Sequence, residues 1–570
     1  MKSAALALAL AVAGLLGCTA TIDGPGARPA GSGGAGNPPS PPPATTGVTP
    51  TVDTLAAACP STQLAPPLLR RLAASEYAAT VSAAFAPLVA AGLDLTPLFA
   101  IGDDTLSKLR LGTDASVLLV GNQTAKEVMT TAEAVAGAVT AADRLPTLLP
   151  CATAAAPDDA CASTLIASVG QALFRRPLTV DERDRYLANH RSIAGRSDFR
   201  TGLKWTLAAM LQSPAMLYRT EIGMPQGGGA YALAPEETAT ALAYDFGGGP
   251  PSAALLARAA AGALADPQQR TAEAKQLLLT AGGRQVVAQF FRQWSLYPRV
   301  ITETRAPDNF DTVRQAMVDE TARFIDEVVM TRGGGVKDLL TAPVTLLNPT
   351  LATFYGYGSA AAGAAADWAV VDRPPTAGVG LLAQGSILAG NAHPDSSSPT
   401  LRGLLVYERM LCNQRPLPPP SVPRIEAAAP GVKTTRQRYE ESHAANGVCN
   451  VCHQHFDPIG FGFEHFDQTG RYRADESGLP IDASGTARAA DGTTLFAFDG
   501  LPDLAQKLAA LPQVSSCLGG FAEAFVFGGG GGQSCLAADE RQSLIDGRLG
   551  VLDYLAALAA SPSFVQRRAP

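Results

Sequence analysis

Five consecutive residues, Cys449-Asn450-Val451-Cys452-His453, constrain this chain more than any other stretch. The C-x-x-C-H spacing sets two thiols and an imidazole on one helical turn. There the thiols can form thioethers with the two vinyl groups of a haem, and the imidazole can bind its iron. The chain holds only 9 cysteines and 6 histidines, so a chance match to this spacing is on the order of one in a thousand. Other uses of the same residues stay open. Zinc could take Cys449 and Cys452 with His443 and either His453 or His455. A redox dithiol would need a strand before it and a helix after it in a βαβ setting, which is not readable here, and a plain disulfide leaves His453 unexplained.

The N-terminus fits the extracytoplasmic location in which haem is attached to such motifs. Lys2 precedes an apolar run over residues 4–16, long enough for the core of an export leader and too short to span a bilayer comfortably. The run ends in Leu15-Leu16-Gly17-Cys18, which resembles the bacterial lipobox and makes Cys18 the expected lipid anchor; the alternative is an ordinary secretory leader that ends near a cysteine. No later stretch is long and apolar enough to predict a membrane span. Residues 19–58 are rich in Pro, Gly, Ala, Ser and Thr and read as a flexible tether. The net charge of −7 without a basic tract excludes the electrostatic footprint of a nucleic-acid binder.

Beyond the tether the 570-residue chain is 46% hydrophobic and 17% charged, enough to build several cores. Helical periodicity begins at Pro66, with Leu68, Leu69, Leu72 and Tyr77 on one face and Arg70, Arg71 and Glu76 outside it. Further helices are expected over 123–142, 161–173, 199–213, 235–246, 267–279, 283–296, 309–332, 500–511, 514–526 and 536–557. Thr179 with Glu182 reads as a capping box that starts another. Phe290, Phe291 and Trp294 read as packing. Prolines from Pro416 to Pro423 break regular structure, residues 480–497 suggest one hairpin, and Gly528 to Gly532 a break between helices. Six further cysteines in an oxidising location predict disulfides. Proximity favours Cys151 with Cys161 and Cys517 with Cys535, which leaves Cys59 with Cys412.

The residues after the motif suit a haem pocket. Phe456, Pro458, Ile459, Phe461, Phe463 and Phe466 supply an apolar lining. Pro458 could place a carbonyl near the proximal imidazole, and Arg471 and Arg473 could pair with the propionates. No methionine follows Met410, so a second axial ligand must come from His443, His455, His465, His393 or Met410, or the position is open. His465 or an open site is the preferred expectation.

Several stretches together resemble one family. They are Arg70-Arg71-Leu72 with Ser75-Glu76-Tyr77, then Phe174-Arg175-Arg176-Pro177-Leu178-Thr179, then Leu211-Gln212-Ser213-Pro214 with Leu217-Tyr218-Arg219. Ser398-Pro399-Thr400 with Arg402-Gly403, and Asp457-Pro458-Ile459-Gly460-Phe461-Gly462-Phe463-Glu464 with Gly470-Arg471-Tyr472-Arg473, continue the set. The set resembles the multi-module, cytochrome-like surface proteins of planctomycetes and myxobacteria, built from domains of unknown function 1587, 1595, 1592, 1588 and 1585. The resemblance covers about residues 67–563 and implies haem at Cys449, Cys452 and His453 without naming a substrate. Asp245 and Gly247 to Gly249 depart from it, where the family tends to have a large aromatic residue and a polar loop, and Ala73-Ala74 replaces a more polar pair.

The expected fold is mainly α, a multi-module helical protein with a small cytochrome-c-like haem module and little β. The expected organisation is a leader (1–17), a tether (18–58), helical modules (59–145, 146–225, 226–360), a haem-bearing module (361–480) and a C-terminal helical module (481–570). The expected function is that of an envelope lipoprotein, anchored in the outer membrane through its lipid, with one haem c. It would serve electron transfer, or oxidoreduction on an extracytoplasmic substrate, with a redox partner protein or a small molecule as its counterpart. The alternative is a surface binding or scaffold lipoprotein with structural zinc or a disulfide at Cys449 and Cys452. No Ser-His-Asp order, phosphate loop or carboxylate pair supports hydrolysis.

Overall fold

A computed structural model of the chain describes residue 59 and residues 61–569, apart from 155–156, 306–307, 359–365, 375–377, 417–431 and 530–534. The leader, Cys18 and the tether fall outside the described residues, as do residues 417–423 of the proline-rich run and 530–532 of the glycine run.

The first element corrects the helix expected from Pro66. Leu68–Arg71 is a strand, β1, paired antiparallel with β2 (Tyr218–Glu221), and the helix α1 (Ala74–Ala84) starts only after it. The reason is electrostatic. The register sets Arg70 opposite Arg219, a like-charge pair that would repel on its own, and both guanidiniums bond the carboxylate of Asp245. All three are buried. Glu221 of the same ladder takes the guanidinium of Arg567 at 2.5 Å. Arg70 and Arg71, expected outside the apolar face, are therefore interior residues. Asp245, a departure from the resembled family, is the buried carboxyl group that both arginines of the paired strands share.

Five helices build the first core: α1, α2 (Asn122–Val139), α3 (Asp159–Phe174), α4 (Val180–Ala194) and α5 (Phe199–Leu211). Tyr77, Val81, Val135, Ile166 and Leu207 meet inside it. Their starts follow local chemistry. Asp158 and Asp198 accept from Cys161 N and Thr201 N, each at 2.9 Å, and Thr179 and Glu182 form the expected capping box. After the short strands β3 (Met224–Gly227) and β4 (Ala230–Ala232), α6 (Pro235–Gly247) joins two cores: Tyr244 belongs to the first and Phe246 to the second.

The second, larger core takes α7 (Pro267–Leu279), α8 (Ala281–Ser295), α9 (Arg314–Ile325) and α10 (Pro399–Arg409). Phe290, Phe291 and Trp294 sit in it as packing. β5 (Val344–Leu347) pairs with β6 (Ala369–Asp372) at its edge. The short helices α11 (Thr435–Tyr439), α12 (Gly447–His453) and α13 (Asp457–Gly460) follow, then the hairpin β7 (Ser484–Arg488) and β8 (Thr494–Asp499) in the stretch expected for one. The chain closes with α14 (Gly500–Ala509), α15 (Pro512–Val526), α16 (Ala538–Ile545), α17 (Val551–Ala557) and β9 (Gln566–Arg568), which pairs with β4. The single helix expected over 536–557 breaks in two because Gly547 has a positive φ of 70° and Gly550 lies against the backbone of Gly333, where a Cβ would come within 2.3 Å of its carbonyl. The fold is mainly helical, and no helix among the described residues is long and apolar enough to cross a membrane.

Cys151 pairs with Cys161 as expected, but the other two pairs are exchanged: Cys59 bonds Cys535 and Cys412 bonds Cys517, with Cα separations of 5.2 and 5.5 Å. Sequence proximity misleads because α15 carries Cys517 into the large core beside the end of α10, with its Sγ 3.4 Å from Arg409 O. Cys535 instead returns to the start of the described chain, where Gln63 N donates to its carbonyl at 2.8 Å.

The buried Asp245 cluster is testable. Asp245→Ala leaves two interior guanidiniums without their shared anion, and a loss of about 3–5 kcal/mol is expected in urea unfolding followed by circular dichroism. An unchanged midpoint would show that Arg70 and Arg219 do not depend on it.

Candidate functional site

The motif helix α12 starts at Asn446, whose side chain accepts from Val448 N at 3.0 Å and Cys449 N at 3.4 Å. It carries the motif on a single short helix. Cys449 and Cys452 are half-buried and unpaired, whereas the other six described cysteines are all in disulfides.

What faces the motif is set by two glycines. Helices α10 and α13 cross so closely that a Cβ on Gly403 would come within 1.8 Å of Phe456 O, and one on Gly460 within 1.9 Å of Pro399 O. No side chain fits between the backbones. The contact brings Thr400, at the start of α10, to Asp457, the first residue of α13: Thr400 Oγ1 donates to Oδ1 at 2.6 Å.

The other carboxylate oxygen of Asp457 is shared by two imidazoles. His453 Nδ1 lies 3.0 Å and His443 Nδ1 2.6 Å from Oδ2. Their rings face each other with centroids 3.6 Å apart, and the Tyr439 ring stands edge-on to His443 at 5.1 Å. Burial alone would push the Asp457 carboxyl up, but the hydrogen bonds from His443, His453 and Thr400 outweigh it and hold the group below the ordinary carboxylate range. His443 reaches this position from a π-helical turn, Glu440–Ala444, that follows α11. Ligand atoms of His443, His453 and Asp457 lie within 4.8 Å of one another, close enough to hold a metal ion.

A cavity of about 590 Å³ opens beside this trio. Pro458, Phe461 and Phe498 give it apolar wall; Arg488 lines it too, and Arg436 does so while paired with Glu440 at 2.9 Å and Asp482 at 3.1 Å. Arg436 lies over the Phe461 ring at 4.6 Å and donates to Ser484 O at 2.6 Å. Neither arginine stands out in the sequence; Arg436 comes from α11 and Arg488 from the hairpin β7–β8, which also lines the cavity.

The expected site residues divide. Pro458 and Phe461 do line the cavity, but the Pro458 carbonyl faces Gly485, whose Cβ would sit 2.1 Å from it, so the acceptor for His453 is the Asp457 side chain. Arg473 is committed to Glu464 at 3.1 Å and Glu476 at 3.4 Å, and Arg471 stacks over Phe354 at 5.3 Å. His465 is not the imidazole brought to His453; its Nδ1 faces Arg473 O at 3.1 Å and its ring stacks on Tyr472. Met410 is fully buried in the large core. His455 packs against Tyr407, with its Nδ1 buried and unpartnered, and His393 lies outside the metal-capable trio. Of the alternative zinc set, His443 and His453 are brought together with Asp457.

Three stretches match family models, each described as a protein of unknown function: PSD5 (DUF1595) over residues 161–221, PSD4 (DUF1592) over 233–357, and PSCyt3 (DUF1588) over 378–476. The last spans α10, the motif and Asp457. They support the resemblance to families built from such modules. No curated protein and no solved structure matches the chain.

Gly460→Ala forces α10 and α13 apart, and a loss of about 1–3 kcal/mol is expected in thermal unfolding. Gly447→Ala, where an added Cβ meets nothing within 4 Å, serves as the control and is expected to leave stability unchanged.

Proposed function

We propose that this chain is an exported envelope lipoprotein carrying one covalent haem c at Cys449, Cys452 and His453, and that it acts in electron transfer or in oxidoreduction on an extracytoplasmic substrate. One observation carries the reading. The two thiols left out of the disulfides sit on the same helical turn as an imidazole whose Nδ1 is bound to Asp457, which leaves Nε2 for iron. A ligating histidine whose other ring nitrogen bonds a carboxylate is fixed in tautomer and orientation.

Of the three residues that would hold the group, His453 lines the cavity, while Cys449 and Cys452 lie outside its lining on the same short helix. A bound haem supplies a one-electron couple at its iron. Cys449 and Cys452 would tether it, and His453 would be its proximal ligand. Phe461, Phe498 and Pro458 would exclude water beside His453, and Arg488 on the cavity wall would be a candidate partner for its carboxylates together with Arg471. The resemblance of the sequence motifs to cytochrome-like surface proteins points the same way. Lipidation at Cys18 would hold the body at the outer membrane, where it meets a redox partner protein or a small molecule.

A second reading is favoured by the trio itself. Two imidazoles and one carboxylate form a 2-His-1-carboxylate set, which suits a single iron or zinc ion without porphyrin.

Full-length protein from a host with cytochrome-maturation machinery separates the two. The first reading expects about one covalent haem per chain in a pyridine haemochrome spectrum, lost in Cys449→Ala with Cys452→Ala. A bare polypeptide by mass spectrometry sinks it; stoichiometric iron or zinc that disappears in His443→Ala would establish the second.

A further inference from the structure

The carboxylate that holds the motif histidine is divided among three donors. Asp457 is 4% exposed. Oδ1 accepts from Thr400, and Oδ2 is shared by His453 at 3.0 Å and His443 at 2.6 Å. The shorter bond belongs to His443, which is not part of the C-x-x-C-H motif. An ionised carboxylate has about four lone-pair sites, so each donor draws on charge the others also use. The division is built into the fold. Thr400 is delivered by the glycine crossing of α10 and α13, and His443 by a π-helical turn and the edge of Tyr439.

This division matters for an iron ligand. A hydrogen bond from Nδ1–H to a carboxylate raises the basicity of the imidazole at Nε2. A more basic ligand stabilises Fe(III) over Fe(II) and so opposes the addition of one electron. Partial burial strengthens the effect, because the carboxylate acts through a lower dielectric than water. A competing donor on the same oxygen weakens it.

We propose that Asp457 is a positioning residue that lowers the potential of an iron held by His453, and that His443 is the counterweight that limits this lowering by occupying the same carboxylate oxygen. The inference rests on the haem reading above. It gives His443 a role as a tuning residue, distinct from the axial ligand it could be on sequence grounds.

The test is spectroelectrochemical titration of haem-loaded, full-length protein, with haem content per chain measured first. Asp457→Asn keeps the shape and removes the charge, so the midpoint potential is expected to move to a more positive value. His443→Phe keeps a ring against His453 and removes the competing donor, so the potential is expected to move the other way. A residue that merely held the turn together would shift both variants in one direction or neither, and either result overturns the inference. Where Asp457→Asn does not accumulate, His443→Phe decides alone: a potential equal to or above that of the parent rejects the counterweight. A parent chain without haem rejects the functional reading and this inference with it, whereas a haem-loaded parent with unmoved variants rejects this inference only.

Discussion

Buried guanidiniums bonded to backbone carbonyls hold this molecule together. Short helices and few strands leave many carbonyls without a partner inside their own element, and an interior carbonyl must find a donor. Arg175 supplies one for Leu173, Ala215, Met216 and Tyr218; Arg270 for Leu264, Ala265, Ala559 and Ala560; Arg402 for Leu388, Phe463, Phe466 and Asp467. Each ties together segments distant in sequence. A rigid, planar set of five donors suits this task better than a lysine ammonium. Burial brings the Arg402 guanidinium down to about 10, still far above neutrality, so the clamp stays charged.

Arg402 links that constraint to the site. Its donors fix the turn after α13, and the neighbouring Gly403 lets α10 lie against that helix. Glu464 on the same turn accepts from Ser397 at 2.8 Å and Arg473 at 3.1 Å, which pins the chain just before α10. Between these two anchors Thr400 and Asp457 have little freedom. The hydrogen bond between them follows from backbone placement, and the two imidazoles meet a carboxylate already in position.

Much of this was legible in residue pattern, and the failures have physical reasons. The capping box of Thr179 and Glu182 announces α4, and apolar periodicity places most of the long helices, because both signals are local. β1 was misread as helix since its four residues are specified by partners about 150 and 175 positions away in sequence, Arg219 and Asp245. The disulfides were exchanged for the same reason: nothing in the spacing of Cys517 and Cys535 reveals that a helix carries the first to Cys412 and a returning segment the second to Cys59. The expectation for Arg473 takes no account of Glu464 and Glu476, the carboxylates it meets in the fold. The motif cysteines and His453 are plain in the sequence and His443 is among its candidate ligands, but the carboxylate of Asp457 that joins the two imidazoles follows only from setting α10, α11 and α13 against one another.

The motif helix differs from the rest of the fold in what holds it. α12 has no fully buried residue, and Val448 and Val451 are 74% and 63% exposed, whereas the helices around it are anchored by apolar side chains. Hydrophobic burial therefore contributes little to its position. Its start is fixed by the Asn446 cap and its end by the bond between His453 and Asp457. An element held mainly through polar contacts at its two ends keeps its outer face open while its last residue stays in register with the interior. That division suits a segment whose thiols must remain reachable while its histidine is oriented from within, and it explains why the ordering contacts converge on Asp457 and leave both cysteines free.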